Sequence, residues 1–335
     1  MQIGFFDVEN KEDRLSKMGD HLEKLNRAID WEIFRPILEE TFKKEHKGMG
    51  GRPPFDYVMM FKILVIQKYY NLSDDQTEYQ INDRLSFMRF LGLGLGDRVP
   101  DAKTIWNFKN ILGSQHVAEK LFKRFDLLLR EANLISHKGS IVDATFSEVP
   151  KQHNTPDEKK EIKEGRTPKG WKKNKRVQKD TDARYTQKRA EIYFGYKNHI
   201  KVDSDSKLIT ASKITPANYA DFKVFPDLLD EEDQEIWADS GYNVKPLKET
   251  TPKEIKLHIQ ERNTRGHLLT EEQRAANTEK SKVRVRVEHV FGHMKNTMKG
   301  ISQRCIGLMR TTFNLTLVNL TYNLCRYEFL TRKKT

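Results

Sequence analysis

Between residues 20 and 42 the apolar positions Leu22, Leu25, Ile29, Ile33 and Ile37 recur at three- and four-residue intervals, the repeat that turns one stripe of a helix toward a core. Pro36 has no backbone N–H to donate, so a kink or a division of the segment is expected there. Residues 55–70 predict a second, largely buried helix, broken in its apolar run by Lys62 and Lys68 and ending at Asn71-Leu72. Ser73 and Gln76 then form a capping-box signature for the next helix. Gly92, Gly94 and Gly96 mark a loop, and Asp101 is placed to cap a helix through Thr104, Trp106, Phe108 and Leu112. Short helices with tight turns in this order predict a helix-turn-helix-like module over residues 45–115, opened by the basic, glycine-rich break at 46–54. A packing role and a nucleic-acid role are both open for it.

From residue 139 the pattern changes to short apolar runs bounded by turn residues. Residues 139–149, 190–203 and 207–215 read as strands, with residues 203–206 as a tight turn between the last two. Residues 221–229 read as a helix, 234–238 as a buried strand, 255–259 as another, and 311–330 as a closing helix. Residues 151–190 therefore form an insertion between the first two strands, and their Lys-, Asp-, Gly- and Pro-rich composition predicts a mobile loop or arm. The expected architecture is an all-α N-terminal domain over 1–135 and a mixed α/β domain over 136–335.

Charge sharpens this picture. The 335 residues carry a formal charge of +12, and two windows hold all of the excess. Residues 151–190 contain 14 Lys/Arg against 6 Asp/Glu and residues 280–304 contain 7 against 1, so the rest of the chain is slightly acidic, at −2. Such segregation suits a polyanion, because neutralised phosphates release counterions and supply most non-specific affinity. No apolar run reaches the length of a membrane span. The N-terminus has acids where a secretory signal would be basic and apolar, so a cytoplasmic protein is expected. Cys305 and Cys325 lack metal-type spacing and read as reduced thiols.

Three acids stand out against this background. Asp143 and Asp239 each follow a predicted buried strand, and Glu288 is the sole carboxylate in the 280–304 window. Oxygen ligands of this kind suit Mg²⁺ or Mn²⁺, and two such ions roughly 3.5–4 Å apart serve phosphodiester chemistry. On the helix carrying Glu288, Val283, Val287, Phe291, Met294 and Met298 form the packed stripe. Arg284, Glu288 and Lys295 share an adjacent line, so an ordinary Arg284–Glu288 pair is the bland alternative. His289 and His293 lack an HExxH context and are not read as zinc ligands.

The chain resembles the DDE transposases of bacterial insertion sequences, specifically the insertion sequence family numbered five, related to the family numbered four. The residues that carry the resemblance are Asp143, Ala-Asp-Ser-Gly-Tyr at 238–242, Arg284-x3-Glu288-x6-Lys295, the GYKNHIKVD segment at 195–203 and the PANYAD segment at 216–221. Ser281 departs from the pattern, standing where the family signature has tyrosine. The resemblance implies a ribonuclease-H-like catalytic core, a mixed sheet flanked by helices, preceded by the all-α module. It further implies that Asp143, Asp239 and Glu288 bind two Mg²⁺, with Mn²⁺ as a substitute. The implied partners are double-stranded DNA, both terminal inverted repeats and target, and a second copy in a homodimer, with no membrane. Arg284, Lys295, Arg286, Lys299, Trp171, Lys172 and Lys173 are the expected DNA contacts, Trp171 through the DNA backbone, through hairpin packing or by holding a flipped base. A non-catalytic DNA-binding derivative and a same-fold nuclease without strand transfer are the alternatives.

Overall fold

The computed structural model describes residues 6–43, 53–136, 138–188, 190–264, 266 and 268–332. Most of the break at 46–54 lies outside them. The chain divides into two compact units, residues 1–127 with 320–335 and residues 128–319.

The first unit is helical: α1 (Asp7–Lys17), α2 (His21–Ala28), α3 (Arg35–Phe42), α4 (Tyr57–Tyr69), α5 (Asp74–Asp83), α6 (Leu85–Leu91), α7 (Ala102–Ser114) and the start of α8 (Val117–Glu131). Pro36 lies in the first turn of α3, after a 3-10 turn at Trp31–Phe34, where its missing N–H costs nothing. Trp31, Phe34, Phe61 and Phe125 meet at ring-centroid distances of 4.8–6.4 Å to form its core. Ser73 and Gln76 make the full reciprocal capping box, and Asp101 caps α7 through the Thr104 N–H at 2.6 Å. The exposed side of α5 is acidic, with Asp75 and Asp83.

The second unit is a mixed sheet flanked by helices. Its elements are β1 (Ser140–Glu148), α9 (Pro156–Lys163), α10 (Lys173–Gln178), β2 (Arg184–Lys188), β3 (Glu191–Asp203), β4 (Ile209–Pro216), α11 (Phe225–Leu228), β5 (Glu235–Ala238), α12 (Lys245–Thr250), β6 (Lys256–Ile259), α13 (Glu271–Gly292) and α14 (Leu308–Arg332). The strand order is β2-β3-β1-β5-β6, and β4 also pairs with β3. The β1–β3, β2–β3 and β3–β4 pairs are antiparallel, whereas β1–β5 and β5–β6 are parallel. β3 is long enough to hold β1 along one edge and β2 followed by β4 along the other. Gly195, at the changeover, has φ +146°, and an added Cβ would stand 2.3 Å from the Ser147 carbonyl, so only glycine fits. Val142, Ile236, Ala238, Phe225 and Tyr242 form the core under one face.

The insertion differs from the loop or arm expected of its composition. Thr155 caps α9 in a reciprocal box with Glu158, α10 follows, and β2 joins the sheet. Trp171, 4% exposed, donates Nε1 to Glu158 at 2.7 Å. Asp180, 2% exposed, accepts from the Tyr196 hydroxyl at 2.8 Å and the Gly307 N–H at 3.0 Å. Composition missed these anchors because a few buried side chains suffice to fix a segment whose surface is charged. The last turns of α14, residues 320–332, fall in the first unit, where sequence grouped them with the α/β domain.

Candidate active site

β1 and β5 run parallel with Ser140 opposite Ile236 and Ile141 opposite Trp237. Two residues further on, the same register brings Asp143 beside Asp239. This adjacency follows from two sequence features, an apolar run that buries each strand and an acid at the position where the run meets solvent. Asp239 leaves the end of β5 and caps the 3-10 turn Ser240–Tyr242, accepting from the Gly241 N–H at 2.8 Å. A Cβ at position 241 would approach Oδ1 of Asp239 to 2.9 Å, so glycine permits this close cap.

Asp143 is poised differently. Burial pushes its carboxyl up to about 6, Asp239 adds to the rise, and Arg284 and the N–H of Ala144 oppose it. Nη2 of Arg284 donates to Oδ2 of Asp143 at 3.2 Å, and Nη1 donates to Oε1 of Gln260 at 2.7 Å. The i,i+4 pairing with Glu288 is thus replaced by a reach across the site. Glu288 is exposed, and its carboxylate has no hydrogen-bond or ion-pair partner among the described residues.

Glu288, Lys295 and Lys299 border a cavity of about 1000 Å³, with Ala144, Phe146 and Lys188 on its other sides. α13 runs from Glu271 to Gly292, longer than the apolar stripe alone predicted, because Thr270 and Gln273 form a capping box several turns before the stripe begins at Val283. It then widens into a π-helical turn at His293–Thr297, which carries Lys295. Val287, Phe291, Met294 and Met298 are buried, as the stripe requires.

The remaining expected DNA contacts are dispersed. Nη1 of Arg286 donates to the Ser204 carbonyl at 2.6 Å and to Asp205 at 3.2 Å, holding the β3–β4 turn. Lys172 and Lys173 are exposed at the start of α10, while Trp171 is packed inside the insertion with Lys175 5.3 Å from its ring. Gln260 and Lys188 were not singled out by sequence. Nothing in the residue just past an edge strand or in one lysine of a basic window distinguishes them.

Carboxylate oxygens at Asp143 and Asp239 are the donor chemistry of a hard divalent cation, and the raised carboxyl of Asp143 is one that a cation would stabilise as carboxylate. Glu288 stands apart, and among the described residues no three acidic, imidazole or thiol groups converge closely enough to hold an ion. Two carboxylates therefore offer oxygens side by side, and the Glu288 carboxylate lies apart from them. No described helix is long and apolar enough to cross a membrane.

Comparison with known proteins bears on this arrangement. Residues 9–110 match a family described as a transposase domain (DUF772), and residues 135–324 match the family described as the transposase DDE domain. Asp143, Asp239 and Glu288 all fall within the second match, which spans more than half of the chain. Among solved structures the chain is similar to the cryo-EM piggyBac transposase synaptic complex with hairpin DNA. The TM-score is 0.44 and the identity 13%, over 91% of this chain and 75% of that one, a likeness too remote to bear on function.

Proposed function

The chain belongs to the transposase DDE domain family and is a DDE transposase, a polynucleotidyl transferase acting on DNA, and from that premise we propose that Asp143, Asp239 and Glu288 are its catalytic acids. The observation that carries this reading is the parallel register of β1 and β5, which continues from Ile141 opposite Trp237 toward Asp143 and Asp239, with Glu288 on α13. The mixed sheet with its flanking helices is read as a ribonuclease-H-like core.

Asp143 and Asp239 would hold Mg²⁺ between them, and Glu288 would complete a site for two ions, which Mn²⁺ also fits. Bound there, such ions would polarise the scissile phosphate and lower the pKa of the attacking hydroxyl or water. Arg284, fixed beside Asp143, is oriented to grip a phosphate next to the scissile bond. Lys295 and Lys299, across the cavity from Lys188, would hold the strand on either side. The exposed lysines of the insertion, Lys172 and Lys173, would bind the DNA backbone further out, and Arg286 would contribute through the β3–β4 turn it clamps. For Trp171 a packing role is favoured by its burial. The substrate is read as the terminal inverted repeats of an insertion sequence of the family numbered five, with target DNA following. The active form is read as a homodimer working in the cytoplasm at the nucleoid.

The test is incubation of the purified chain with its own end sequences and Mg²⁺. Cleaved and joined products are expected. Asp143→Ala, Asp239→Ala and Glu288→Ala should each lower cleavage roughly a thousandfold or more while end binding persists, since each removes a metal ligand and not a phosphate contact. Near-normal cleavage by any one variant would remove that residue from the site.

A further inference from the structure

Gln260 directly follows β6, and its backbone N–H donates to the Ala238 carbonyl at 3.3 Å, which seats it beside the strand end that carries Asp239. Its side chain touches α13 at both ends of the amide. Nε2 donates to Oγ of Ser281 at 2.7 Å, and Oε1 accepts from Nη1 of Arg284 at 2.7 Å. The hydroxyl hydrogen of Ser281 goes to the Asn277 carbonyl at 2.8 Å, so its oxygen is left to accept. That polarity allows the amide only one orientation, nitrogen toward Ser281 and oxygen toward Arg284. Turned over, the amide would set its NH₂ against the guanidinium, donor against donor. Beyond its bonds to Gln260 and Asp143, the guanidinium keeps a buried Nε–H with no acceptor among the described residues. A buried donor of this kind costs free energy, which the charge-assisted bonds to Gln260 and Asp143 offset in part.

We infer that Gln260 is a positioning residue for Arg284, and that Ser281 acts as the lock that keeps the Gln260 amide in its working orientation. The inference rests on the reading of Arg284 as a phosphate contact. Holding Nη1 in place fixes the guanidinium plane with one edge on Asp143, so that a phosphate meets a cation already aligned.

The experiment measures end-DNA binding by the full chain without divalent metal, single-turnover cleavage with Mg²⁺, and the melting temperature. Ser281 is exposed in the middle of a helix, so Ser281→Ala folds. Ser281→Ala should weaken end binding about fivefold, the loss expected when one neutral hydrogen bond no longer orders the amide, with the melting temperature unchanged. Gln260→Leu should lose at least as much. Gln260→Glu should bind nearly as the parent does, because a carboxylate offers an acceptor whichever way it turns. Adding Ser281→Ala to Gln260→Glu should then change nothing further. Equal losses from Ser281→Ala in both backgrounds, or none in either, would overturn the lock. Full activity in Gln260→Leu alongside a dead Arg284→Ala would overturn the positioning role and leave the reading of Arg284 intact. Parent-like binding and cleavage by Arg284→Ala would sink that reading and this inference with it.

Discussion

Arg284 and Asp143 are 141 residues apart in sequence, yet Nη2 of the arginine donates to Oδ2 of the aspartate at 3.2 Å. A cation thereby shares the carboxylate proposed above as a metal ligand. The arginine is 13% and the aspartate 20% exposed at the side chain, so solvent only partly screens the pair. Its attraction is still outweighed by burial, and the Asp143 carboxyl sits at about 6, above its ordinary 3.8. Several outcomes depend on that balance and on the charges around it.

A carboxyl raised in the folded state holds its proton more tightly there than in the unfolded chain. Its contribution to stability is therefore present at low pH and is lost as pH rises from about 4 through 6, leaving the carboxylate a net penalty at neutrality. Asp143→Asn removes that penalty. The metal-free variant should be more stable than the parent at pH 7, by on the order of 1–3 kcal/mol, and should lose the rise in melting temperature that Mn²⁺ gives the parent. Calorimetry with and without Mn²⁺ reads both effects, and a lower melting temperature for the metal-free variant would contradict the first.

His199 titrates with the opposite sense. It is fully buried on β3, Nε2 shares a hydrogen bond with the Thr215 hydroxyl at 2.8 Å, and Nδ1 lies 3.7 Å from Asp221. Burial lowers the imidazole to about 4 despite Asp221. The folded chain thus binds fewer protons than the unfolded one between about 6.5 and 4, and stability falls as pH falls through that window, by about 3 kcal/mol in all. His199→Gln should flatten this acid limb in denaturant titrations at pH 4 to 7, and an unchanged limb would assign it to other groups.

Lys172 and Lys173 carry exposed charge on a folded insertion, so their removal can be read without unfolding it. The double variant Lys172→Ala with Lys173→Ala should reduce the slope of log affinity against log salt by roughly 2, one phosphate contact for each lysine. Trp171 and Asp180 are poor choices for the same purpose, because both are buried anchors of the segment.

Lys295 lines the same cavity as Glu288 and is exposed in the π-helical turn. Lys295→Ala should weaken end binding roughly tenfold for all end sequences alike and lower the salt slope by about 1, as loss of a phosphate contact does. Lys295→Arg keeps the charge in another shape and should retain part of both binding and cleavage. Unaltered binding by Lys295→Ala would mark the lysine as idle.

Much of the fold was legible because its signals are local. The capping residues Ser73 and Asp101, the apolar stripe of α13 and the strand runs around Asp143 and Asp239 each act within a few residues of themselves, and all appear where periodicity put them. The insertion was not legible in the same way. Its β2 pairs with β3, and Asp180 binds Tyr196 and Gly307, contacts that no local composition encodes.

The division is the same at the site. Residue type and spacing singled out the three acids as candidates and determined the basic windows and the helix that carries Arg284, Glu288 and Lys295, because hydrophobic periodicity and charge are properties of short stretches of chain. Only the tertiary structure decided that Arg284 bonds Asp143 in place of Glu288, that Gln260, just past β6, bonds the same arginine, and that Trp171 is buried. Each of these depends on which strand lies beside which, and a side chain takes the partner that the sheet register and helix packing bring within hydrogen-bond distance, however far away that partner lies in sequence.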